Sequence, residues 1–129
     1  MKTKIKIVHW IPRILCILAI LFLEMFALDS FDSRYTLGQQ LLAFLMHSIP
    51  AIVLIAILIL SWKKELIGGI IFILLGVGFS PSIFLHNYAM NHSIWISLSI
   101  ILMLNFPFIL TGALFIYSNF LKKKESKSV

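Results

Sequence analysis

Two ionisable residues stand inside runs that are otherwise apolar: Glu24 and His47. A carboxyl and an imidazole share one chemistry, taking up and releasing a proton. Such groups are expensive in an apolar medium, so each needs a reason to be there. Side by side, they would either form a buried hydrogen bond that fixes helix packing or line a path for a proton and a coupled substrate. At a helical rise of about 1.5 Å per residue, Glu24 lies about 15 Å beyond Ile14, and His47 about 15 Å beyond Leu37. Asn105 lies about 18 Å beyond Ser93 by the same count. The expectation is a polar core of Glu24, His47 and Asn105 at one depth. Asp29 and Asp32, with Arg34, form a second group at the outer end of the first apolar run. They read as a solvated turn or as a cation-attracting mouth.

Other chemistry finds no support in the residue pattern. The sequence has no Cys-x-x-Cys, no pair of metal-spaced histidines and no glycine-rich phosphate loop. Bis-histidine haem binding would need a second His at the depth of His47; His9, His86 and His92 all fall near boundaries. Cys16 is the single cysteine, which excludes an intrachain disulfide and reads as a small apolar filler. No catalytic residue, cofactor or metal ligand is assigned, and the chain is not expected to be an enzyme.

The elements that must position these groups follow from composition. Of 129 residues, 60% are hydrophobic and 12% charged, with a mean hydropathy of +1.03. Soluble domains carry about a quarter charged residues, and so few charges cannot cover this much apolar surface in water. Four apolar runs are long enough to cross about 30 Å of hydrocarbon: residues 14–31, 37–62, 66–85 and 93–121. They are expected to be helices, because backbone groups in lipid must be satisfied within their own segment. The fold class is therefore an all-α bundle of four transmembrane helices in a single domain. Thr36-Leu37-Gly38-Gln39 has capping-box spacing and should start the second helix. Pro81 either ends or kinks the third, while Pro50 and Pro107 lie within the second and fourth and free the carbonyls of Met46 and Met103. Gly69 and Gly76 on the third run, and Ser97, Asn105 and Gly112 on the fourth, make small-residue faces suited to close helix contact.

Charge sets the orientation. With the N-terminus inside, Lys2, Lys4, Lys6, Arg13, Lys63, Lys64, Lys122, Lys123, Lys124 and Lys127 are cytoplasmic, and of the eleven basic residues only Arg34 is external. Both termini are then inside, in the cell (inner or plasma) membrane. Trp10, Trp62 and Tyr117 fall at the inner boundary, and Tyr35, Tyr88 and Trp95 at the outer one, where amphipathic rings prefer to lie. A signal peptide ending near Ala27-Leu28-Asp29-Ser30 is disfavoured by Glu24 within the apolar run. The net charge of +6 does not point to nucleic acid, since the basic residues punctuate the apolar runs. The expected partners are the lipid bilayer and either a second copy or another membrane protein. The lysine-rich tail over residues 122–127 reads as an inner anchor in contact with anionic lipid.

Three segments, Phe26-Ala27-Leu28-Asp29-Ser30-Phe31, His47-Ser48-Ile49-Pro50 and Trp62-Lys63-Lys64-Glu65-Leu66-Ile67-Gly68-Gly69, together with Phe106-Pro107 and Thr111-Gly112-Ala113-Leu114-Phe115, resemble a family of small four-helix bacterial integral membrane proteins of unknown function. The resemblance covers nearly the whole chain and implies a fold and a membrane location but no activity. Glu24 and Gly76-Val77-Gly78 are loosely similar to features of the small multidrug resistance transporters, which also have four helices and an essential Glu in the first. Met25-Phe26-Ala27-Leu28 departs from that pattern, and the strong charge bias opposes an antiparallel dimer. The leading expectation is an accessory, structural or interaction role; the alternative is a small proton-coupled transporter using Glu24 and His47.

Overall fold

Apolar segments of this length satisfy their backbone groups by coiling, and the computed structural model, which describes residues 2–128, is helical nearly throughout. The order is α1 (Lys2–Ala27), a single 3-10 turn (Leu28–Ser30), α2 (Leu37–Lys63), α3 (Glu65–Asn91), α4 (Ile94–Leu104) and α5 (Phe106–Ser128). Among the described residues, α1 with its 3-10 turn, α2 and α3 are each long and apolar enough to cross a membrane. The pair α4 and α5 passes the same test together, bent by 41° at the break between them. The helices form a ring in which α1 packs on α2, α2 on α3, α3 on α5 and α5 back on α1, while α4 lies against α3.

Several helix ends depart from the expected boundaries. The capping box at Thr36 is present: Thr36 Oγ1 accepts from the Gln39 backbone N–H at 3.3 Å, and Gln39 Oε1 accepts from the Thr36 N–H at 3.1 Å. In contrast, α1 begins at Lys2, well before Ile14, and passes through Pro12. Apolarity marks where a chain can enter lipid, and a helix can continue past that point into charged residues. Likewise α3 does not stop near residue 85 or at Pro81 but runs to Asn91. Polar side chains return hydrogen bonds to its own carbonyls: Ser80 Oγ donates to Gly76 O at 2.6 Å, and Asn87 Nδ2 to Ile83 O at 2.8 Å. His92, in the left-handed conformation at φ 53°, ends the helix. The third connection thus shrinks to His92 and Ser93, and Ser93 Oγ caps α4 by accepting from the Ile96 N–H. The fourth run is not one kinked helix. It breaks at Asn105, and Pro107 falls in the first turn of α5, where a missing N–H costs little.

The side chains are distributed inside out. Arg13, Ser61, Ser97 and Thr111 are completely enclosed, whereas Trp95 is 80% and Leu37 69% exposed. Water-soluble proteins do the reverse with charged and polar groups. An apolar surround removes the cost of the exposed aliphatic exterior; inside, Ser61, Ser97 and Thr111 each donate to the carbonyl four residues earlier, at Ile57, Ser93 and Pro107.

Helices α3 and α5 approach closely where small residues face each other. A Cβ at Gly69 would lie 2.6 Å from the carbonyl oxygen of Gly112, and one at Gly112 would lie 2.5 Å from that of Gly69. Both obstacles are backbone, which cannot swing aside. Beside this crossing, Phe72 of α3 stacks between Phe108 and Phe115 of α5, at 6.2 and 6.1 Å between ring centres. Gly69→Ala should therefore lower stability in detergent by about 1–3 kcal/mol, the usual cost of overpacking. Gly78→Ala, with nothing within 4 Å of the added methyl, should be neutral or gain up to about 1 kcal/mol from helix propensity. Paired thermal melts of the two variants check this; equal melting points would refute the tight crossing.

Candidate functional site

The densest polar constellation lies where the start of α1, the junction of α2 with α3 and the end of α5 converge. Glu65 is the first residue of α3 and is only 6% exposed. A carboxylate there complements the positive end of the helix dipole. Its Oε1 accepts from Arg13 Nη2 at 2.9 Å and from Lys122 Nζ at 2.7 Å, and lies 2.9 Å from His9 Nδ1. Lys122 Nζ is also 2.6 Å from His9 Nδ1. A neutral His9 ring can accept there from the ammonium, while a protonated one donates to the carboxylate. Arg13 is completely enclosed. It also donates to the carbonyl of His9 and, at 3.4 Å, to that of Trp62 in the last turn of α2, an end where a cation offsets the dipole. Its guanidinium stands 5.2 Å from the ring centres of both Trp62 and Phe115. One carboxylate oxygen thus ties together all three corners of the bundle's closed end.

The residues expected to share a midplane core are placed apart. Glu24 pairs with Ser48, whose Oγ donates to Glu24 Oε1 at 2.5 Å. His47 lies on the exposed side of α2. Its Nδ1 is 2.8 Å from the carbonyl of Ala43 and 3.3 Å from Ser30 Oγ. Successive helical residues are rotated by about 100°, so the residue that faces α1 is Ser48 and not His47. Asn105 is buried and turns to α3, donating to Gly76 O at 3.1 Å and to Ser80 Oγ at 2.9 Å. Asp29 and Asp32 instead share a recess of about 460 Å³ with His47, Arg34 and Gln39. Arg34 donates to both carboxylate oxygens of Asp32, at 2.7 to 3.2 Å. The Arg34 side chain, and after it the Arg34 backbone N–H, hold the Asp32 carboxyl below its ordinary value. A group depressed on folding stabilises above its unfolded pKa, and that gain is lost as pH falls through the folded value.

An apolar cavity of about 490 Å³ lies between α2 and α3, with Leu23, Pro50, Leu54, Phe79, Asn105 and Phe108 among the residues lining it. Leu23 and the lining residue Ile49 adjoin Glu24 and Ser48 in the chain, and Glu24 Oε2 is enclosed without a hydrogen-bond partner. Among the described residues, no cluster of His, Cys, Asp and Glu is arranged to hold a metal ion.

An all-helical chain with several helices fit to cross a membrane, tied by buried polar contacts, is the class that fold and site define. Residues 1–127 match the model of a family described as a domain of unknown function, DUF7670, and the chain belongs to that family. No curated protein and no solved structure matches it.

The ion cluster escaped sequence reading because Glu65 stands in a charged Lys-Lys-Glu turn, and Arg13 and Lys122 sit where basic residues normally set topology. Its importance is measurable. Glu65→Gln leaves Arg13 enclosed without its counter-charge, and removing one partner of a buried pair costs about 3–5 kcal/mol. Arg34→Ala, which breaks an exposed pair, should lower stability far less at neutral pH. Thermal denaturation in detergent separates the two; a Glu65→Gln protein as stable as the wild type would dismiss the cluster as a structural clamp.

Proposed function

We propose that the chain is a four-span protein of the cell membrane with both termini in the cytoplasm. Its role is that of a non-catalytic accessory or structural component that works through contact with a second copy or another membrane protein. The observation that carries this reading is how the enclosed polar groups are used. Glu65 bonds α1 and α5, Glu24 bonds α2, and Asn105 bonds α3, so each joins neighbouring helices. Interhelical polar bonds of this kind are a recognised means of holding apolar bundles together. The orientation is supported by charge. The start of α1, the junction of α2 with α3 and the end of α5 hold ten of the eleven basic residues and meet at one end of the bundle, and Arg34 lies at the other.

A small proton-coupled transporter is the second reading. The observation in its favour is the enclosed Glu24 Oε2 without a hydrogen-bond partner, one residue on from Leu23 in the cavity lining.

A reporter fused after the C-terminus should read cytoplasmic, and one inserted at His92 should read external; the opposite pair of results would sink the topology. A double-mutant cycle on Glu24→Gln and Ser48→Ala should give a coupling of about 0.6 kcal/mol, and no more than about 1.7, if the bond serves packing. Zero coupling, with substrate-dependent proton release that Glu24→Gln abolishes, would move the assignment to the transporter.

A further inference from the structure

Trp10 and Trp62 meet edge to face at 6.0 Å, and beyond them α1 and α5 continue side by side. Lys2 and Lys6 are one turn apart on α1, and Lys122 and Ser126 are one turn apart on α5, so each pair shares a face. These four residues, with Ile5 and Glu125, line an open recess of about 530 Å³. Three lysines and a single glutamate thus contribute to its lining. The clamp beneath does not correct the imbalance. With Arg13 and Glu65 included, four cations (Lys2, Lys6, Arg13 and Lys122) stand against two carboxylates (Glu65 and Glu125). Like charges gathered from two helices repel unless an anion is shared between them.

The depth of the recess points to the source of that anion. Lys6 lies about 6 Å beyond Trp10 along α1, and Lys122 about 7.5 Å beyond Tyr117 along α5. The headgroup layer is about 5–8 Å thick on each side of the hydrocarbon. Ile7 and Trp10, about half exposed on the same stretch, offer apolar surface for the acyl chains below.

We propose that this recess binds the phosphate of an anionic phospholipid headgroup, held by the amines of Lys2, Lys6 and Lys122 with the Ser126 hydroxyl as an added donor. The proposal rests on the four-span reading with the charged end at the cytoplasmic face. Lys122 is preset for the task, because its contact with Glu65 fixes its position, whereas Lys2 and Lys6 are exposed and outside the clamp.

The test uses the full chain in detergent, titrated with phosphatidylglycerol or phosphatidylcholine of the same acyl chains and read by native mass spectrometry. The wild type should bind phosphatidylglycerol at least about tenfold more tightly than phosphatidylcholine. Lys2→Gln with Lys6→Gln should remove most of that preference, at about fivefold per lysine. Lys2→Arg with Lys6→Arg should retain it. Lys4→Gln with Lys127→Gln removes the same charge outside the recess and should change the preference by less than about twofold. An equal loss in that control pair would overturn the site in favour of diffuse attraction. Equal binding of the two lipids by the wild type would also overturn it, as would complete displacement of phosphatidylglycerol by millimolar inorganic phosphate. Failure of the wild-type chain to incorporate into lipid vesicles at all would instead count against the membrane reading beneath the proposal.

Discussion

The bundle depends on one oxygen atom. Glu65 Oε1 receives Arg13 from α1 and Lys122 from α5, with His9 alongside, and Arg13 extends the link to the last turn of α2. Taking ions out of water costs several kcal/mol each, and only a dense set of well-placed donors recovers it. Here the carboxylate also sits at the start of α3, and the guanidinium at the end of α2, so the two helix dipoles favour the charges the site requires. Above this knot the seam between α3 and α5 continues through the stacked rings of Phe115, Phe72 and Phe108 and ends in the bond from Asn105 to Gly76. The Gly69–Gly112 contact lies on the same seam and lets the two backbones come close enough for those rings to stack.

The other half of the molecule is looser. Past Asn105 the chain turns by 41°, and α4 lies on α3 while α1 loses the neighbour that α5 supplies lower down. The apolar cavity lies beside this divergence, lined by residues of α1, α2, α3, α4 and α5. Polar bonds are found at both levels, the Glu65 cluster at the charged end and the Ser48–Glu24 and Asn105–Gly76 bonds near the cavity.

What could be read in advance was one-dimensional. Apolar runs located the elements, the Thr36 spacing located a helix start, and the Gly69, Gly76 and Gly112 stripes marked the faces of α3 and α5 that meet. Depth was legible too, since Glu24 does lie level with the middle of α2. Azimuth was not. His47 and Ser48 differ by one residue in depth but by almost a third of a turn in direction, and nothing in the apolar pattern of α2 says which of them faces inward. Pairing at long range was equally hidden. Arg13, Glu65 and Lys122 lie 52 and 57 residues apart, and each stands where a solvated charge or a topology signal would also stand. The break at Asn105 was disguised by Pro107, which offered a ready but different reason for irregularity.

The knot at Glu65 has a consequence for how such a chain is made. Chains emerge from the ribosome N-terminal end first. Arg13 precedes Glu65, so the first ion pair can form as soon as α3 appears. Lys122 follows Glu65 by 57 residues, after the whole of α4 and most of α5. Until then the carboxylate has Arg13 but lacks Lys122, and α1 and α3 are held by that one pair and by their contacts with α2. Closure of the ring thus waits for the end of α5. A chain interrupted before its last helix would leave Glu65 without one of its two cationic partners and the ring of helices open.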